Sequence, residues 1–322
     1  MPLLVGHAGD QKARGSASLE NLMSNSVNVS PEVAAALAAG KPVVALESTI
    51  ISHGLPYPQN LAAANEFEQI LRDMDVTPAT IAIIDGIPQV GLTEGQLELL
   101  SSGDFAKASV RDLGILRAKK KSGATTVAAT AYIAAQAGIS VFATGGLGGV
   151  HQGFTETFDE SADLSELARA SIVVVSAGVK SVLDIPATLE RLETLSVQVA
   201  GFRTTEFPAF WLTRSGHQLD WSVDSAAEAA QVLLAGREAG LPSALLLANP
   251  VPEDQQWERG EHDRVLTKAL ATAKKEGITG KAVTPFLLDF IVKESGGRSL
   301  EVNLALVRNN IRVAGEVARE IG

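Results

Sequence analysis

The chain has 322 residues, a formal net charge of -10, 46% hydrophobic and 5% aromatic residues, and no cysteine. This composition supplies an ample aliphatic core of the kind parallel α/β sheets use, and it excludes disulfides, thiolate catalysis and Cys-ligated zinc or iron–sulfur centres. No dense basic stripe offers a nucleic-acid surface and no run reaches the roughly 18 apolar residues of a membrane span, so the expected partner is a small molecule, not a nucleic acid or a membrane.

Residues 1–29 are polar, small and aperiodic, and lack the apolar core of a signal peptide. They are expected to form a mobile N-terminal extension. The compartment expected is the cytoplasm, with organellar targeting by the extension left open. Ser30-Pro31-Glu32 has the form of an N-cap with proline at the first helical position, and the helix it opens stops at Gly40. Pro42 to Leu46 reads as a buried strand with Glu47-Ser48-Thr49 at its carboxyl end. A helix over 59–74, a strand over 78–84 and a short hairpin partner over 88–92 follow. Thr93 and Gln96 have the spacing of a capping box. A polar segment, 107–112, precedes the basic tract 117–121, and Gly123-Ala124-Thr125-Thr126 opens an alanine-rich helix to about 136.

The pattern then predicts strands at 140–144, 171–176, 197–201 and 244–248. Helices are predicted at 185–193 and 225–239, with three more at 254–276, 284–295 and 299–320. In the last, Leu304, Val307, Ile311, Ala314 and Val317 recur at steps of three and four and mark the buried stripe. Strands alternating with helices at this spacing indicate βαβ units. The fold class expected is α/β, a single-domain α/β/α sandwich over 30–322 with a mainly parallel central sheet. Two loops, 144–163 and 204–212, exceed the usual two to six residues, and long ordered loops are more often functional than accidental.

Several residues carry candidate chemistry. Lys180 follows the apolar run Ile172 to Val175 and a glycine turn, which places its amine at a sheet edge beside the loop Gly145 to Gly149, where open α/β folds bind ligands. It is either a nucleophile or a solvated loop lysine. Glu47 is either a general acid with a raised pKa or the cap of the next turn. Asp159, Glu160 and Asp163 lie close together with His151 the nearest histidine. Such a set suits Mg²⁺ or Mn²⁺ better than zinc, and equally suits a solvated acidic loop heading a helix. The starts at 123–126 and 144–146 offer backbone N–H groups to a phosphate, and Lys107 with Arg111 offers positive charge.

The segments VALESTIISHGLPYPQN, PATIAIIDGIPQVGLT, GATTVAAT, FATGGLGGVHQG, DESADLSEL, VSAGVKSVLDIPATLE, TEFPAFW, TPFLL and NLALVRNN, in this order, resemble the pseudouridine-5′-phosphate glycosidase (pseudouridylate synthase) family over about 31–320. The resemblance implies a lyase that reversibly cleaves the carbon–carbon glycosidic bond of pseudouridine 5′-phosphate to uracil and ribose 5-phosphate. By motif it implies Lys180 as the nucleophile forming a Schiff base with ring-opened ribose, Glu47 as proton donor and Asp159 as a Mn²⁺ ligand. Substrate contacts are implied for Lys107, Val127, Ser161, Ala162 and Asp163, and also for Thr144, His151 and Asn303. It further implies one Mn²⁺ per subunit and a homotrimer. Two rivals share parts of this pattern: a Schiff-base aldolase on another sugar phosphate, and a non-catalytic nucleotide-binding regulator.

Overall fold

A computed structural model describes residues 27–278 and 283–321. Its strands are β1 (Asn28–Val29), β2 (Val43–Leu46), β3 (Thr77–Ile84), β4 (Ile87–Val90), β5 (Ala106–Ala108), β6 (Gly123–Thr125), β7 (Val141–Ala143), β8 (Val150–His151), β9 (Val173–Ser176), β10 (Leu183–Asp184), β11 (Gln198–Phe202), β12 (Ser222–Val223) and β13 (Leu245–Ala248). The main sheet runs β1-β4-β3-β2-β7-β9-β13-β11-β12, parallel throughout from β3 to β12. β4 folds back on β3 as the antiparallel hairpin expected at 88–92. β6 also pairs antiparallel with β3, and β5 lies parallel to β6, so a short side arm leaves the main path.

Every residue of β2, β9 and β13 is buried, as both-face coverage requires. The helix Val127–Gln136 packs on β2, β3 and β7 from one face, and the helix Arg298–Ile321 packs on β2, β7 and β9 from the other. The second layer is extended by the helices Gln59–Arg72 and Ala226–Glu238, both packed against Arg298–Ile321. At Gly315 a Cβ would meet Met74 Cε, just past the end of Gln59–Arg72, at 2.8 Å. The expected α/β/α sandwich with a mainly parallel sheet is therefore present. Among the described residues, no helix is long and apolar enough to cross a membrane.

Local signals translate directly into caps. Ser30 Oγ accepts from Val33 N, and Thr93 and Gln96 make both bonds of their capping box. Four expectations are corrected. Within the extension expected over 1–29, Asn28 and Val29 instead form a strand, because they pair with Gln89 and Val90 and Asn28 Nδ2 donates to Gln89 Oε1 at 2.6 Å; residues 1–26 lie outside the described residues. Gly123 to Thr125 is a strand, and the helix starts only after its N-cap Thr126. The polar segment at 107–112 contributes β5, since its pairing to β6 outweighs its weak apolar pattern. The helix expected from 254 begins at Arg259, because Glu258 caps it by accepting from Gly260 N and Glu261 N.

Candidate active site

The ladder between β7 and β9 continues past both strand ends. Thr144 N donates to Val175 O, Ala177 N to Gly145 O, Leu147 N to Gly178 O and Lys180 N to Leu147 O, all at 3.0–3.1 Å. The glycine loop is thus zipped against the turn that carries Lys180. Glycine is required at Gly148, where a Cβ would lie 2.3 Å from Ser161 Oγ. Beneath the loop, Asn310 is fully buried and donates through Nδ2 to Thr144 O at 2.7 Å, while its Oδ1 accepts from Asn249 Nδ2 at 2.9 Å. The C-terminal helix therefore holds the end of β7 in place.

Lys180 is half-buried, and its Nζ donates to Gly146 O at 2.8 Å. Glu47, at the end of β2, accepts a hydrogen bond from the hydroxyl of buried Thr144. Burial holds the Glu47 carboxyl above the usual carboxylate range, against the opposing pull of Lys180 and the Thr144 bond. Glu47 is anchored by its neighbours. Ser48 Oγ lies 3.1 Å from Thr125 Oγ1, Thr49 Oγ1 donates to Thr125 O at 2.6 Å, and Thr130 Oγ1 donates to Thr125 Oγ1 at 2.9 Å. This hydroxyl chain locks the turn after β2 to the start of the helix Val127–Gln136.

Lys107, on β5, is exposed as a residue, yet its amine answers to the same centre. Desolvation first and the charge of Lys180 second hold its ammonium below the usual lysine range, opposed by Asp163 and Glu47. Arg111, weighed beside it, is 66% exposed and lies near Asp112 instead. Val127 contributes a backbone N–H at the first helical position, with no partner among the described residues. Ser161 Oγ accepts from Asp163 N and retains its own proton to donate, and Ala162 starts the short helix that follows. Asn303 Oδ1 lies 3.4 Å from where a Gly145 Cβ would stand.

The acidic cluster does not act as one unit. Glu160 is paired with Arg191 through two bonds of 2.9 Å. Asp163 is buried, and its two oxygens accept from Ala128 N at 2.9 Å and Gly148 N at 2.7 Å. It therefore clamps the glycine loop to the helix Val127–Gln136, beyond serving the helix it heads. Asp159 remains, with His151 Nδ1 3.9 Å away. Desolvation lowers the His151 pKa, opposed by Asp159 and reinforced by Lys107 and Lys180. Among the described residues, no three His, Asp or Glu side chains converge on one point. A hard divalent ion fits Asp159 when water and substrate oxygens complete its shell, the manner in which Mg²⁺-like ions are commonly held.

Four contributors were not singled out in the sequence. Asn310 carries a signal in retrospect, a polar residue directly beside Ile311 within the buried stripe of the last helix. Ser48 and Thr125 are ordinary small polar residues whose pairing spans 77 positions. His53 sits in the turn after Glu47, its pKa lowered by desolvation and then by Lys107.

The fold and the site together define an α/β enzyme built around a lysine and a half-buried carboxyl beyond the ends of β9 and β2, the two strands that flank β7. Residues 32–320 match the family described as indigoidine synthase A like protein. The pseudouridine-5′-phosphate glycosidase of Frankia alni is 55% identical over 295 residues, covering 91% of this chain and 82% of that protein. That of Geobacillus kaustophilus is 51% identical over 300 residues, covering 93% of this chain and 100% of its own length. Among solved structures, the prealnumycin C-glycosynthase AlnA in complex with ribulose 5-phosphate superposes with a TM-score of 0.85 at 37% identity, covering 92% and 96% of the two chains. An indigoidine synthase A-like protein of Thermotoga maritima gives 0.82 at 37% identity, covering 91% and 95%. The chain belongs to this family, which includes the pseudouridine-5′-phosphate glycosidases its motifs resemble.

Proposed function

We propose that the chain cleaves pseudouridine 5′-phosphate reversibly to uracil and ribose 5-phosphate through a Schiff base on Lys180. The observation that carries the reading is the Lys180 amine held by the Gly146 carbonyl, with the protonatable Glu47 acting on the same centre. Relatives at 51–55% identity bear the name of this glycosidase, and the structural neighbour holding a pentose 5-phosphate is a C-glycosynthase. These likenesses favour C-glycoside chemistry over an aldolase.

A carbon glycoside has no leaving oxygen to protonate, so the paired-carboxylate route of O-glycosidases does not serve. In the proposed sequence the neutral Lys180 amine forms a bond to C1′ as the C1′–O4′ bond breaks, and Glu47 supplies the proton to O4′. The adduct nitrogen then returns its extra proton to the Glu47 carboxylate, which passes it on to uracil C5. The C1′–C5 electron pair returns to the uracil ring, while the Lys180 nitrogen lone pair forms C1′=N⁺. Water adds to the iminium, releasing ribose 5-phosphate and the amine. Lys107 and the Val127 N–H offer positive charge and a donor to the phosphate, and Thr144 fixes which Glu47 oxygen stays free. A Mn²⁺ at Asp159 would supply charge that orders substrate oxygens and water. One such ion per subunit, a cytoplasmic homotrimer and no nucleic-acid partner complete the proposal.

Incubation with pseudouridine 5′-phosphate and Mn²⁺ should release free uracil, and borohydride with ribose 5-phosphate should trap the sugar on the peptide containing Lys180. Uracil release without an adduct on that peptide would remove the covalent route, and no uracil would remove the activity. Light scattering across a concentration series should give three times the 33.6 kDa chain mass; a persistent monomer would refute the trimer.

A further inference from the structure

We propose that Phe210 is a positioning residue for Lys180, acting through Gly146, and this inference rests on the reading of Lys180 as the nucleophile. Phe210 is 3% exposed and adopts φ 62°, a left-handed conformation that bulky residues rarely accept. The conformation is held by its N–H, which donates to Ala177 O at 3.0 Å. It turns the ring against Gly146 so closely that a Cβ on Gly146 would lie 2.5 Å from two ring atoms. Gly146 is the residue whose carbonyl receives the Lys180 amine at 2.8 Å.

The ring cannot retreat easily. Trp211 lies behind it at 5.1 Å between centroids and Trp257 stands at 5.6 Å from Trp211. The His262 ring closes the group at 6.0 Å from Trp211 and 5.7 Å from Trp257. The same segment brackets the lysine in the chain: Ala209 bridges Gly178, and Ala209 O accepts from Ser181 Oγ at 2.6 Å. A lysine side chain has many rotamers to lose, so a fixed acceptor is needed to bring its amine to one place. The Gly146 carbonyl is that acceptor. The aromatic stack sets its position by occupying the space on which the glycine backbone rests. A misplacement of about 1 Å at a reacting group is enough for a loss on the order of 10²-fold.

The test uses the full-length enzyme with the variants Phe210→Leu, Phe210→Met, Gly146→Ala and the pair Gly146→Ala/Phe210→Leu. Each is followed by kcat, KM, the rate of borohydride trapping with ribose 5-phosphate, and the melting temperature. Phe210→Met removes the flat ring but leaves a flexible side chain that can fill part of its gap, so it reports even where Phe210→Leu fails to fold. Each single variant is expected to lower kcat and the trapping rate about 10- to 100-fold with KM within about twofold. In the pair, the added Cβ fills space vacated by the ring, and the loss should be smaller than the product of the two single losses. Trapping and kcat at wild-type values in Phe210→Met would overturn the proposal, as would a rise in KM at constant kcat, or strictly multiplicative losses in the pair. Failure of the underlying reading looks different: the wild-type enzyme itself would turn over without any adduct on Lys180.

Discussion

Glu47, Thr144 and Lys180 stand at or just beyond the ends of the central strands β2, β7 and β9, and their surroundings are core: buried Asn310 below, buried Asp163 beside, and a hydroxyl chain behind Glu47. Lys107, His53, His151 and Asp159 stand on a three-residue strand, a turn, a two-residue strand and a loop. The first group, the floor of the site, is thus fixed by long-range packing, whereas the second, its rim, rests on short strands, a turn and a loop. Under the proposed function, that contrast places the bond-breaking groups on rigid material and the substrate-gripping groups on adaptable material. Changes to the floor should fall on kcat, and changes to the rim on KM or metal dependence.

The largest effect should come from Lys180→Ala, which is expected to abolish both turnover and borohydride trapping while leaving the melting temperature close to wild type. Lys180→Arg should fail as well, since a guanidinium stays protonated and is a poor nucleophile. Measurable turnover by either variant would break the assignment of chemistry to the floor. Glu47→Gln should cost about 10²–10⁴-fold in kcat, the usual scale for a lost general acid.

The direction of the Glu47 shift also fixes a pH dependence. Burial raises the folded pKa, so the proton-donating form persists to higher pH than for an ordinary glutamate, and activity should fall as pH rises through that value. The same shift means that the folded state binds a proton the unfolded state gives up, so stability declines as pH rises from the unfolded toward the folded pKa. At neutral pH and above, Glu47→Gln should therefore melt at a higher temperature than wild type. A lower melting temperature there would show that the carboxylate is stabilised by its neighbours.

On the rim, Lys107→Gln should raise KM about 10- to 100-fold with a smaller change in kcat, the scale of one charge-assisted hydrogen bond. An equal fall in kcat would move Lys107 into the floor. Asp159→Ala should remove activation by Mn²⁺ without unfolding the protein, because this carboxylate sits in a polar loop. An unchanged Mn²⁺ titration would exclude it as the ligand. The smallest effect should follow deletion of residues 1–25, which precede the family match at 32–320 and should leave turnover within about twofold.

Glu47 and Lys180 were legible because strand-end position shows in a one-dimensional pattern: an apolar run, then a glycine or a small polar residue. The caps at Ser30 and Thr93 were legible for the same reason, each being settled within four residues. Asp163 was read as one of an acidic set suited to a metal or to heading a helix, and by resemblance as a substrate contact; its clamp on Ala128 N and Gly148 N was not legible, since they lie 35 and 15 positions away. β5 was read as a polar segment because pairing to β6 gave it a partner that its own composition did not announce. Phe210 was counted only as one aromatic in a loop, because its left-handed backbone and its contact with Gly146 exist only after β9 and the loop come together.

The side arm β5–β6 has a consequence for the order of events on binding. β6 is fully buried and its Ala124 joins a cluster with Phe105, Leu97 and Leu100, whereas β5 packs through Ala108 on the small set Ile83 and Leu116, so within the arm β5 has the less apolar area resisting a local opening. Amide hydrogens of β5 should therefore exchange with solvent sooner than those of β7 and β9, and a phosphate-bearing ligand gripped by Lys107 should slow that exchange selectively. If Lys107 grips the phosphate as proposed, the arm that carries it acts as a latch, with the energy of gripping a remote group used to close the site over the bond that breaks.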